Sequence, residues 1–412
     1  MNKKISLGAA IAYMAIVAAV AVSLTIIWAM NKFDARVNSL SQREAMYDKV
    51  SEVDRMVREY YYGTMDEEAL RDKTAAGYLA GLGDPYAKYL TAKEYETYNS
   101  GETGKYVGIG VVTELDSDGY IKIKEVYPES PAEVAGLRAG DLIVSVDGEN
   151  ATAENYETLV SAFKGDAGAK ITLVRRQNNE DSQVEITRRT VDVPTVSGTL
   201  LDGGMGYIRF SAITSATPAQ FDKNVSKLLS DGAAALIFDV RGISCDNVGY
   251  ITDMLDILLP KGVIAYAEYR DGKIEALANS DEKDVQLPMM VLVDGDTKGT
   301  AELFAQALRD TNKAKTVGAA TFGKGTRQED KKLKDGSAIL LTVAKYSGPA
   351  GSTYDQTGVP ADYEVRWGAS AEERAAAMGI PEADAALKKA IELLNTAVKT
   401  ESNMVASAQA NK

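Results

Sequence analysis

Val291 to Gln328 reads VLVDGDTKGTAELFAQALRDTNKAKTVGAATFGKGTRQ, a strand, then a helix, then a second strand. The same alternation stands upstream in Gly204 to Gly242, GMGYIRFSAITSATPAQFDKNVSKLLSDGAAALIFDVRG, where a strand, an amphipathic helix and a buried strand follow one another. Units of this kind build a parallel or mixed sheet with helices laid over it. The second half of the chain is therefore expected to be an α/β core with a mixed sheet.

Working toward the N-terminus, the pattern changes at Thr190. Tyr106 to about Arg189 reads as strands with turn signals and one short helix. Lys105 to Val112, KYVGIGVV, is similar to the carboxylate-binding loop and following strand of a PDZ module, and Ser130 to Gly148, SPAEVAGLRAGDLIVSVDG, to its helix-turn-strand core. In such modules a bound peptide adds a strand to the sheet edge while loop N–H groups hold its terminal carboxylate. The resemblance assigns that loop to Tyr106, Val107, Gly108, Ile109 and Gly110, with the two glycines letting the backbone approach the ligand. The alternative is that they only make a bulge or turn. Asn155 to Lys164 carries the expected groove helix, with Tyr156, Leu159, Val160 and Phe163 on one face. Ile109, Val111, Leu142, Ile143 and Val160 are expected to line core and groove, without a way to sort one from the other.

The opening stretch also resembles the active-site frame of the C-terminal processing (tail-specific) serine peptidases. That motif runs as a strand, S-A-S-A-S-E-I opening a helix, a second strand and T-F-G-K-G-x-x-Q, with the nucleophilic serine three residues before the Glu. Glu302 and Lys324 anchor it here without a gap, and both place Gly299 at the nucleophile. The resemblance makes Lys324 the general base and Gln328 the residue that orients it. In a Ser/Lys mechanism a desolvated lysine takes the proton of a serine hydroxyl, and glycine offers none.

A second departure falls on the family's D-L-R-x-N-P-G-G loop, whose backbone supports the oxyanion hole. Ala234 to Tyr250 reads AALIFDVRGISCDNVGY. Asp239 and Arg241 match, but the turn is rewritten over Gly242, Cys245 and Gly249 and is about two residues longer; loss of one oxyanion donor typically costs about 10²–10³ in rate. Alternatives stay open at this point. Thr300 or Thr297 is a shifted nucleophile, Cys245 is a thiol without any histidine to pair with it, and Lys298 is either a second cation at the site or a solvated side chain. Gly81 to Gly110 resembles the segment that leads into the PDZ module in this family. Tyr354 to Val365, YDQTGVPADYEV, resembles its G-I-x-P-D-x-x-V signature, with Ala361 inserted.

Composition narrows the chemistry. The 412 residues are 45% hydrophobic and 25% charged, an ordinary globular balance. Forty-six basic against 59 acidic residues give a net charge of −13, which argues against a nucleic-acid partner. Zero histidines and one cysteine leave no His-based triad, disulfide or thiolate metal cluster, so no metal or other cofactor is expected. GKGT at Gly323 to Thr326 lacks the spacing of a phosphate loop.

At the other end, Leu7 to Met30, LGAAIAYMAIVAAVAVSLTIIWAM, carries no charge over 24 residues. A helix of that length spans about 36 Å, enough for a hydrocarbon core of about 30 Å. It exceeds the apolar stretch of about 7–15 residues usual in cleaved signal peptides, so an uncleaved anchor is expected. Lys3 and Lys4 precede it, and the family resemblance tips the body to the extracytoplasmic side.

The expectation is an α+β multidomain protein: cytoplasmic N-terminus 1–6, transmembrane anchor 7–30, helical region 31–102, PDZ domain 103–190 (sandwich-like, with helices), peptidase-like core 191–370, and C-terminal helix with flexible tail 371–412. Pro381 to Leu394 is read as a surface helix. The leading functional reading is a membrane-anchored extracytoplasmic pseudopeptidase that binds protein C-termini. The alternatives are an active C-terminal processing peptidase, and a structural protein whose PDZ groove is occupied internally. Homodimerisation, or association with an active relative, is a further expectation.

Overall fold

The computed structural model describes residues 7–102, 104–366 and 371–410. The chain forms two compact units, Met1–Arg71 and Asp72–Lys412.

The first unit is dominated by the helix Leu7–Tyr60, 54 residues long. The uncharged stretch Leu7–Met30 is helical but is not a separate helix, since it runs unbroken into a charged half carrying the pairs Lys49–Glu52 and Arg58–Asp54. Met14, Val17, Leu24 and Trp28 are exposed along it. Among the described residues no helix is long and apolar enough to cross a membrane.

In the second unit, the module over residues 105–192 has a six-stranded antiparallel sheet, five strands in the order Val111–Leu115, Ile121–Val126, Leu142–Val146, Lys170–Gln177, Glu180–Thr187 and the short Glu149–Asn150 paired with the third of them. A separate antiparallel pair joins Lys105–Gly108 to Arg189–Asp192. Period-two alternation sends Ile121, Ile123, Ile143, Ile171, Leu173 and Ile186 into one apolar core. The expected groove helix is Tyr156–Ser161, shorter than its sequence pattern, and its Leu159 together with Phe163 is buried in that core. Ile109 and Ile143 are core residues; Val111 and Val160 are only partly buried.

The peptidase-like core is a six-stranded sheet in the order Val196–Leu201, Met205–Phe210, Ala235–Asp239, Met289–Val293, Ala314–Gly318, Tyr363–Glu364. Its first pair is antiparallel and the remainder parallel, so the mixed sheet is as expected. The two faces separate by strand parity. Ile208, Phe210, Leu236, Phe238, Val291 and Val293 pack under the helices Thr217–Ser230, Val248–Leu258 and Thr300–Asp310. There the rings of Phe210, Phe221, Phe238 and Phe304 pack together, mostly edge to face, with centroids 5.5–6.2 Å apart. Met205, Tyr207, Ile237, Met290 and Leu292 face the other way, onto the C-terminal helix Ala385–Ala410.

That helix corrects two expectations. Its first turns are not a surface element, because Leu387, Ala390 and Leu394 are fully buried over an apolar sheet face that has to be covered. It also continues helically to Ala410 where a frayed tail was expected. An antiparallel sheet completes the unit. Ala338–Ser347 pairs with Thr326–Lys332 along one edge and with Gly262–Tyr269 and the short Lys88–Leu90 along the other.

Two parallel strands position the site. Ala235–Asp239 and Met289–Val293 end side by side, and the loops leaving their carboxyl ends pair again as a short parallel ladder, Ser244 with Lys298 and Cys245 with Gly299.

Candidate active site

Gly299 stands at the entry of the helix Thr300–Asp310 with φ 70° and ψ −130°. A sharp strand-to-helix turn of this sort lifts a nucleophilic side chain into the open. Here the space is filled. A Cβ on Gly299 would approach the Cys245 carbonyl oxygen closer than 3.0 Å, a separation Cβ atoms essentially never show, and would lie 3.1 Å from Asp246 Oδ1. The positive φ adds strain to any side chain. The rewritten loop and the missing serine are thus one steric unit.

Glu302, the anchor of the sequence frame, is fully buried and holds the surroundings in register. Its Oε2 accepts the N–H of Gly299 at 2.9 Å and of Lys324 at 2.8 Å, and its Oε1 accepts the N–H of Gly323 at 2.6 Å and the Thr321 hydroxyl at 2.5 Å. The Gly299 carbonyl accepts from the buried Tyr354 hydroxyl at 3.1 Å. Burial raises that phenol well above its ordinary pKa, with the Glu302 charge adding to the effect, so it stays a donor.

Lys324 lies in the loop just before the strand Thr326–Lys332 and Gln328 within that strand, and each is hydrogen-bonded to a residue other than its expected partner. The Lys324 ammonium makes a 2.5 Å charge-assisted hydrogen bond to Asp246 Oδ1 and lies 4.9 Å from the Tyr86 ring centroid. Its side chain is 12% exposed and that of Asp246 is 36% exposed, so solvent screens one partner far more than the other. Gln328 donates to Thr342 Oγ1 at 2.7 Å and to Thr326 Oγ1 at 3.2 Å, and its Oε1 is buried without a hydrogen-bond partner among the described residues.

The loop that the resemblance assigns to the oxyanion hole is hydrogen-bonded internally as well. The Gly242 N–H donates to Asp294 Oδ1 at 3.0 Å, and the Gly249 N–H to the Asn247 side chain that caps the helix Val248–Leu258. Cys245 is buried, its sulfur 3.6 Å from the Asn247 carbonyl. Of the shifted nucleophiles, Thr300 donates to the Asn247 carbonyl at 3.3 Å, while the Thr297 hydroxyl lies 3.0 Å from the Val240 carbonyl and 3.1 Å from Asp294. Both are fully buried. Lys298 turns to Asp296 and the Phe322 ring.

Asp246, Tyr86 and Tyr354 were not singled out by the motifs. Each sits in a quoted segment, yet Asp246 and Lys324 are 78 positions apart and no spacing rule joins them. A cavity of about 210 Å³ opens beside the pair, lined by Asn99, Asp246, Arg327, Gln328 and Tyr346 among others. A larger one, about 530 Å³, includes Arg241, Val365, Met378 and Ala386; of the two, the smaller is lined by Asp246 and Gln328. Among the described residues no cluster of carboxylates and Cys suits a metal ion.

In the upstream module, the segment that the resemblance assigns to carboxylate binding lies at the end of the helix Tyr156–Ser161. Lys105–Gly108 runs beside the end of the groove helix, with the Ile109 N–H donating to the Phe163 carbonyl at 3.2 Å and the Gly165 N–H to the Val107 carbonyl at 3.2 Å. The Tyr106 ring packs on Gly108, where a Cβ would lie 2.6 Å from its Cε2.

Comparison with known proteins identifies a family along each of these two parts of the chain. Residues 204–365 match peptidase family S41, and residues 122–176 match the PDZ domain. The carboxy-terminal processing protease CtpA of Bacillus subtilis (strain 168) is 30% identical over 346 residues, 84% of this chain and 74% of that protein. A probable CtpA-like serine protease of Staphylococcus aureus (strain N315) is 29% identical over 78% of this chain and 65% of its own length. Among solved structures, a photosystem II D1 C-terminal processing protease is 27% identical, with 76% and 86% of the two chains covered and a TM-score of 0.46. The family match and the 30% identity to the Bacillus subtilis protein, a C-terminal processing protease, show that the chain belongs to peptidase family S41 and carries a PDZ domain.

Proposed function

We propose that this chain is a pseudopeptidase: a PDZ-bearing member of the family that captures protein C-termini and does not cleave them. The observation that carries the reading is the seat of the Cys245 carbonyl, which takes the space a side chain on Gly299 would need. The Asp246–Lys324 pair supports it, because the lysine's hydrogen bond goes to a carboxylate and not to a hydroxyl. The loop donors spent on Asp294 and Asn247 support it further. Acyl transfer needs a nucleophile, a base placed on it and donors aimed at the developing oxyanion; Gly299 supplies no nucleophile, and the lysine and the loop donors have other partners.

The PDZ module supplies the binding role, with an apolar groove along Val111 and Val160 and a loop of backbone N–H groups for a terminal carboxylate. Membrane attachment through Leu7–Met30, with the body on the extracytoplasmic side, belongs to the same proposal and rests on the uncharged sequence and its exposed apolar side chains. So does a scaffolding, shielding or regulatory role toward an active relative.

Purified full-length chain is incubated with an unstructured protein beside its Lys324→Ala variant. No cleavage by either is expected. Cleavage that disappears with Lys324→Ala would overturn the proposal. Attachment is tested separately, by whether removal of residues 1–30 releases the chain from alkali-washed membranes.

A further inference from the structure

The charged half of the helix Leu7–Tyr60 carries an apolar repeat that lies open along its surface. Met46, Val50, Val53, Val57 and Tyr60 follow one another at steps of 4, 3, 4 and 3, the a/d period of a coiled coil. In that register Val50 and Val57 stand at a, and Met46, Val53 and Tyr60 at d. Val50 is 45% exposed, Val53 52% and Tyr60 73%, while Met46 and Val57 are only partly covered. Tyr47 at e and Met56 at g, both exposed, widen the stripe on its two sides. The contact that ties this helix to the start of the next one, Arg58 with Glu67, leaves from a b position, off the stripe. Single apolar residues on a surface need no explanation, but a continuous stripe of them marks an interaction face.

What fits the stripe is read from its flanks. In a parallel pair of helices a g side chain meets the e side chain of the following heptad on the other strand. Lys49 at g thus faces Asp54 at e, an opposite-charge pair formed twice by symmetry, and the other flanking positions, Tyr47 and Met56, bring no charge against it. Lys49 and Asp54 are both exposed and have partners on their own strand, Glu52 and Arg58, so the crossed pair sets register and orientation more than strength. Valine at both a positions, with Met46 and Tyr60 unbranched at d, favours two strands; Val53 at d departs from that pattern. We propose that residues 46–60 form the seam of a parallel two-stranded coiled coil whose second strand is another copy of this chain. The chain then presents its PDZ modules in pairs, and the seam stands whether or not those modules capture C-termini.

The test uses the full-length chain in detergent solution, with light scattering to give the mass of its protein component. Wild type is expected at twice the 44.2 kDa of one chain. Val50→Asp with Val57→Asp is expected to halve that mass, whereas Ser51→Asp with Arg55→Asp, two new carboxylates at b and f of the same helix, leaves it unchanged. A second arm replaces one residue at a time by cysteine, the native Cys245 being buried. Under mild oxidation Val50→Cys and Val53→Cys are expected to give a covalent dimer, because like positions of a parallel seam lie within disulfide reach, and Arg55→Cys on the outer face is not. A wild-type mass other than two chains overturns the proposal, as does a two-chain mass that survives Val50→Asp with Val57→Asp. Cross-linking at Arg55→Cys as fast as at Val50→Cys overturns it too. A melting curve checks each variant, and should the aspartate pair at the seam not fold, the cysteine arm decides.

Discussion

The carbonyl oxygen of Cys245 and the α-carbon of Gly299 are held in parallel register by a two-residue ladder, and that register leaves no volume for a side chain at 299. Restoring the residue that the family motif has there is therefore expected to damage the fold before it creates an enzyme. Gly299→Ser combines a steric clash with a positive-φ penalty, together on the order of 3 kcal/mol. A drop in thermal midpoint of several degrees, without any proteolysis, is the expected result. Unchanged stability, or cleavage by this single variant, would show that the 243–247 loop yields easily and that the site is only one residue from activity.

How much of this was legible in the sequence depends on distance along the chain. The βαβ units declared themselves through local periodicity, and Gly299 through fixed intervals of three residues to Glu302 and 25 to Lys324, read directly from the sequence. The rewritten ISCDNVG turn was visible as a departure, but its effect was not. Cys245 meets Gly299 only because two strands distant in sequence are hydrogen-bonded neighbours. Gln328 was assigned to Lys324 by motif alone, whereas its amide goes to Thr342 on the adjoining strand. The C-terminal helix was misread for the same reason, since its apolar positions gain meaning only opposite Met205, Ile237 and Leu292.

Glu302 tests whether the frame survives for structural reasons. With four donors converging on its two oxygens, replacement by glutamine turns one acceptor into a donor facing two donors. Glu302→Gln is expected to cost about 2–5 kcal/mol, with hydrogen exchange accelerated at the amides of Gly299, Gly323 and Lys324. A near-neutral effect would mean that these contacts are not what keeps the motif in place.

The Lys324–Asp246 pair is open to a double-mutant cycle with Lys324→Met and Asp246→Asn. Asp246 is partly in solvent, so the coupling is expected to be about 1 kcal/mol and not the several expected of a sealed pair. Asp246→Ala adds a sharper readout, because it releases the ammonium. Lys324-dependent cleavage in that variant would mean that Asp246 restrains a usable base, in conflict with the proposed loss of catalysis.

Acid sensitivity is expected from the opposite side of the core sheet. Arg241 is bound at once by Asp239 and Asp384, with 2.6 Å contacts to each, and Asp384 also accepts the N–H groups of Ala386 and Leu387 at the start of the C-terminal helix. Burial alone would raise the Asp384 carboxyl, but the guanidinium and the Leu387 and Gly379 N–H groups hold it below its ordinary value of 3.8. A carboxyl whose folded pKa is depressed stabilises the fold above the unfolded pKa and loses that contribution as pH falls through the folded one. Stability should thus decline below about pH 4, and Asp384→Asn should flatten that decline while costing about 3 kcal/mol at pH 7 through the half-paired Arg241. Urea midpoints at pH 7 and pH 3 measure both. An equal acid loss in Asp384→Asn and wild type would assign the sensitivity elsewhere, first to Asp362, whose carboxyl Arg309 and Thr316 hold down against the same burial.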